Sequence, residues 1–133
     1  MANISQVMTK SLLDWALQGA TPTRPAAVFG GLATGSPTSI ASSEIAIGSG
    51  YTRQTCPFGA AGTPAGSGTA TNASAITFGP FSSAQSISGI FLADTVSSGA
   101  GTMLFMGLLT TARTVSAGDS LVVASAALTV TLN

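Results

Sequence analysis

The chain has 133 residues, the length of one domain, with four Lys plus Arg, four Asp plus Glu, no His and one Cys. Charged residues make up 6% of it and the formal net charge is zero, where an ordinary soluble protein carries about a quarter charged residues. These counts exclude Ser-His-Asp and Cys-His centres and leave a zinc site without ligands. They also give nucleic acid no basic patch, since Lys10, Arg24, Arg53 and Arg113 are scattered.

In chain order, residues 1–19 are predicted to hold the one helix and residues 20–133 a β-sandwich domain. Asn3 is placed to cap the helix, and Gln6 three residues on resembles a capping box. Ile4, Met8, Leu12 and Trp15 recur at helical spacing as one apolar stripe, with Val7 beside it. Gly19 supplies the stop. The stripe is expected to dock on the chain's own sheet or, in the sharper reading, on a neighbouring subunit. Thr21-Pro-Thr-Arg-Pro25 is a stiff connector, because each Pro fixes its own φ and biases its predecessor towards extended geometry.

Beyond the connector, short runs of β-branched and aromatic residues alternate with Gly, Ser, Thr and Pro clusters. Strands are predicted over 27–33, 44–47, 51–58, 74–78, 86–93, 102–108, 120–124 and 127–132. Leu128, Val130 and Leu132 alternate with small or polar partners, the signature of a strand with one apolar face. Gly89 and Gly107 fall inside strand patterns and mark bulges or close backbone approach. Residues 59–72 are low in complexity and are predicted to be a loop, either mobile or an arm that orders on a partner. Many short strands divided by turns give the expected fold class: all-β, an antiparallel β-sandwich of jelly-roll type with one short N-terminal helix.

Little chemistry is available. Asp14, Glu44, Asp94 and Asp119 are far apart with no recognisable spacing, so an enzyme is not expected. Glu44 and Asp119 are expected to hydrogen-bond backbone. Gly30-Gly31 and Gly48-Ser-Gly50 lack the Gly-Lys-Ser/Thr ending of a phosphate loop. Catalytic residues, cofactors and metals are all expected to be none. Cys56 is expected to be a small buried hydrophobe, an interchain disulfide being the alternative. The longest apolar run, 103–109, is too short for a membrane helix, and the N-terminus lacks the plan of a secretory signal, so no membrane partner is expected. A surface without colloidal repulsion favours association, and mean hydropathy is +0.51. The candidate functional residues are therefore interfacial: Trp15, Tyr51, Arg53, Phe81 and Arg113. For the two arginines the alternative is a local pair with a carboxylate or backbone carbonyls, Arg113 with Asp119 across a turn.

Several segments resemble a known group. Glu44-Ile-Ala-Ile-Gly-Ser-Gly-Tyr-Thr-Arg-Gln54 looks like the E-V-x-G-x-G-Y-x-R-Q stretch of small virion proteins of tailed bacteriophages, usually labelled tail-fibre-like. Ile76-Thr-Phe78, Gly89-Ile-Phe-Leu-Ala-Asp94, Leu104-Phe-Met-Gly107 and Leu109-Thr-Thr-Ala-Arg-Thr-Val-Ser-Ala-Gly-Asp119 resemble later segments of these proteins, in the same order. The Trp-Gly common near Ser82-Ser83 is missing, and Leu92 stands where an Asp is common. The resemblance implies a non-enzymatic virion structural protein, a jelly-roll sandwich used in repeated copies and assembled in the host cytoplasm. The leading expectation is a capsid decoration (cement) protein that bridges shell subunits. Its partners would be itself, as a homo-oligomer, and the phage major capsid protein. The alternative is a tail-fibre or baseplate part, whose partners would be tail proteins.

Overall fold

The computed structural model describes residues 2–36, 43–46, 48–62 and 68–132. Its elements are β1 (Ala2–Ile4), α1 (Gln6–Gln18), β2 (Phe29–Ala33), β3 (Gln54–Thr55), β4 (Gly68–Thr71), β5 (Ile76–Phe78), β6 (Gln85–Ala93), β7 (Met103–Val115), β8 (Leu121–Val123) and β9 (Thr129–Leu132). The predicted strand at 44–47 is reduced to a single bridge between Glu44 and Ala33, and Ile47 lies outside the described residues. Of the strand predicted over 51–58, Gln54–Thr55 form a ladder with β2, and Phe58 makes one bridge to Asn72.

The helix begins later than the sequence pattern suggests. Asn3 is committed to β1, opposite Met106 of β7, so it cannot cap. Ser5 caps instead: it is extended, at φ −70° and ψ 156°, and its side chain accepts from the Met8 N–H. At the other end Gly19 takes the left-handed conformation, φ 71°, and its N–H donates to the Asp14 carbonyl. None of the residues of α1 is buried. Met8 and Leu12 are half-buried, whereas Trp15, further along the predicted stripe, is exposed.

The main sheet has five antiparallel strands in the order β1-β7-β6-β2-β3. Two smaller antiparallel sheets pair β4 with β9 and β5 with β8. The chain is thus mostly β, with one short helix and several antiparallel sheets. A jelly roll has eight strands in two Greek keys; the described strands form one five-stranded and two two-stranded sheets. β4 corrects the reading of 59–72 as a loop. Gly68–Thr71 align with Thr129–Leu132 residue for residue, while 63–67 lie outside the described residues.

One core joins the sheets. Leu32, Ile87, Ile90 and Leu92 of the main sheet pack with Ile76 and Phe78 of β5 and Val130 of β9. Ile87 and Ile90 are three apart, not an even number, yet share this core; the register irregularity between Ile87 and Gly89 lies between them. On β7 it sets Leu109–Ala112 opposite Ser88 alone. A second cluster holds Ala33, Phe91, Ala93 and Met103, so β6 is buried on both faces. Close approach explains Gly31, paired with Phe91. A Cβ there would lie 2.3 Å from the Phe91 ring.

Candidate functional site

The described part of the resembling motif, Glu44–Ala46 and Gly48–Gln54, folds into a buried polar network at the β2 side of the main sheet. β3 pairs with β2 only at Phe29 and Gly30, so beyond it the outward-facing backbone groups of Leu32 need other partners. Ile45 N–H donates to the Leu32 carbonyl at 3.1 Å. The Tyr51 hydroxyl accepts from the Leu32 N–H at 2.9 Å and donates to Glu44 Oε1 at 2.9 Å. Arg53 then meets the carboxylate with its fork, Nε to Oε1 and Nη2 to Oε2, both at 2.8 Å. Arg53 Nη1 donates to the carbonyls of Thr95 and Ala100, at 2.9 and 3.0 Å. Gly99 N–H closes the circuit on Glu44 Oε2 at 2.9 Å. The guanidinium also stands over the Phe91 ring, 5.2 Å from its centroid.

The electrostatics follow from that geometry. Burial pushes the Glu44 carboxyl up, but the hydrogen bonds from Arg53, Gly99 and Tyr51, with the Arg53 charge, outweigh it and hold the group below its ordinary 4.5. Burial drives the Tyr51 phenol upward, in keeping with its role as donor to Glu44. These hydrogen bonds clamp the loop between β6 and β7 to the edge of β2. Asp94 supports the same loop through Oδ1, which accepts from Thr102 N–H at 2.7 Å.

The five candidate residues divide by position. Tyr51, Arg53 and Phe81 lie in the interior, at 2%, 2% and 1% exposure. Trp15 and Arg113 are exposed. Arg113 does not pair with Asp119, a correction to the expected turn pair: Asp119 Oδ2 accepts instead from Ser116 N–H across its own turn, at 3.0 Å. Among the described residues the ion pairs are Arg53–Glu44 and, along α1, Lys10–Asp14. Cys56 is fully buried and its thiol is pushed up to about 11 by burial.

Residues that pattern reading missed include Asn72, buried at the end of β4. Its amide donates to the Ser74 and Ala124 carbonyls and its oxygen accepts from Leu128 N–H, all at 2.8 Å. One side chain thereby ties β4 to the turn between β8 and β9. Leu13 and Leu17 were also missed, although their spacing of four was visible; they are exposed on α1. Two open apolar grooves, about 350 and 290 Å³, flank β9 and share Leu92, Phe105 and Val130 in their walls. No group of three or more His, Cys, Asp or Glu among the described residues could hold a metal ion. No helix among them is long and apolar enough to cross a membrane.

Large apolar side chains stand exposed on α1 and, on strands, at Leu108, Val122 and Leu132. No curated protein matches the chain. A family model described as Podophage GP4 fiber I protein gp80 matches residues 3–131, from β1 to β9. With the match running through every sheet, the chain belongs to the podophage GP4 fiber I protein gp80 family and is a structural protein of the phage virion.

Proposed function

We propose that this chain is a repeated structural subunit of a podophage fibre, held to copies of itself and to tail proteins by apolar contact. The observation that carries this reading is the match of a fibre-protein family over residues 3–131. The surface is consistent with it. Of the eight charged side chains, Glu44 and Arg53 are spent inside the fold, Lys10 and Asp14 pair with each other, and Asp94 and Asp119 hold turns. Apart from Arg24 and Arg113, both exposed, what remains outside is largely Gly, Ser, Thr and apolar side chains, suited to close contact with few charges to desolvate.

Capsid decoration, the leading expectation from the charge-poor surface, the short length and the lack of a shaft-like repeat, gains no support from the family match, so the fibre reading leads. Immunogold labelling of intact particles with an antibody to this chain separates the two. Gold on tail-attached fibres is expected. Gold spread evenly over the head would overturn the fibre role in favour of decoration.

A further inference from the structure

α1 carries two apolar faces where a helix packed only on its own protein needs one. At about 100° per residue, Met8, Leu12 and Trp15 fall on one arc, and Met8 and Leu12 are half-buried towards the body of the protein. The opposite arc, about 120° wide by the same rule, holds Val7, Lys10, Leu13, Asp14 and Leu17. Its apolar members are open to water, Val7 at 58%, Leu13 at 53% and Leu17 at 79%. A 13-residue helix is marginal by propensity alone and normally owes its stability to packing.

The charges on the outer face select its occupant. Lys10 and Asp14 bridge to each other along the helix, so the face is neutral, with plus and minus one turn apart. Such a face is complementary to itself when two copies meet antiparallel about a two-fold axis. Lys10 of each helix then lies beside Asp14 of the other, and Leu17 meets Val7 at both ends. Parallel pairing would set Lys against Lys. We infer that the outer face of α1 is a self-association surface, on which a second copy of this chain docks its own α1 antiparallel. The contact is small, since the helix is roughly 20 Å long. It therefore belongs to the weak class of interfaces and gains strength only where copies are held together.

The test uses the full chain in sedimentation equilibrium over a wide concentration range. The wild type is expected to form dimers at high concentration. Lys10→Glu and Asp14→Lys, each alone, gather four like charges at the pair and should weaken dimerisation at least about tenfold. Mixed together they should recover it as a heterodimer, because the reversed charge at position 10 of one faces the reversed charge at position 14 of the other. Leu13→Gln with Leu17→Gln should weaken it without rescue. Unchanged circular-dichroism melting curves would show that these exposed changes leave the fold intact. A wild type that stays monomeric, variants that dimerise as the wild type does, or a mixture that fails to recover would each overturn the inference. It rests on the reading of the chain as a repeated subunit but not on its place in the virion. Gold on the head would leave it standing, and a monomer in solution would leave the labelling result standing.

Discussion

At the scale of single residues, the Glu44–Tyr51–Arg53 network is the costliest part of the molecule to disturb. Arg53→Ala strands a carboxylate that is only 5% exposed, and breaking a buried pair from one side costs about 3–5 kcal/mol. Arg53→Lys keeps the charge but loses the fork, so it should fall between wild type and Ala in urea unfolding. Tyr51→Phe leaves the Leu32 N–H without its partner and should cost about 1–3 kcal/mol. The pH dependence has a definite sign. Because Glu44 is held below 4.5 in the fold, its contribution is fully present above that pH and is lost as pH falls through the lower folded value. Glu44→Gln should therefore be less stable at neutral pH and show a flatter acid limb, which unfolding curves from pH 7 to 3 would check. Cys56 should resist thiol reagents in the native protein and react on unfolding.

The network was half legible. Arg53 was expected to find a carboxylate or backbone carbonyls, and it finds both. Glu44 was expected to bind backbone, and it does so at Gly99. That the two are partners, with Tyr51 between them, depends on how 44 and 53 are brought together past the short β3, which no local spacing encodes. The opposite error occurred at Arg113. Proximity in sequence suggested Asp119, but a turn carboxylate is better used on a nearby backbone N–H than on an exposed cation.

Among elements, those with apolar alternation or a long apolar run were legible, and so was β2 despite its two glycines, whereas β4 was not. β5, β6 and β9 were found because Ile76 and Phe78, the long apolar run of β6, and Val130 with its neighbours announce a buried face. β4 was missed because Gly68-Thr-Ala-Thr71 offers no apolar alternation; it is a strand because β9 pairs with it and Asn72 locks its end. Asn72→Ala should thus cost at least about 2 kcal/mol, since several buried backbone groups lose a partner at once. Hydrogen exchange should show the loss concentrated in β4 and β9. β1 was missed because Asn3 and Gln6 mimic a capping box, and only the pairing with β7 removes Asn3 from that role. For α1 the sequence offered two docking readings. The fold half-buries one arc and leaves the other open, so changes at Leu13 and Leu17 should move stability by less than about 0.5 kcal/mol.

For the molecule as a whole, one ion pair, Glu44–Arg53, is taken inside, and the other six charges, three of each sign, leave the rest of the molecule without net charge. That is a poor design for a free monomer and a suitable one for a part covered by neighbours. The mostly β fold with one helix and the virion role were both reachable from composition, turn spacing and the motif segments. The place in the virion was not. A charge-poor, mostly β chain suits a shell and a fibre equally, and no single residue distinguishes them.

The most direct test of the fibre role is the copy number of this chain in purified virions relative to the major shell protein, by quantitative mass spectrometry. A fibre subunit predicts a small fraction of the shell protein. A ratio near one copy per shell subunit, or a simple fraction of it, would contradict that role and place the chain on the capsid lattice.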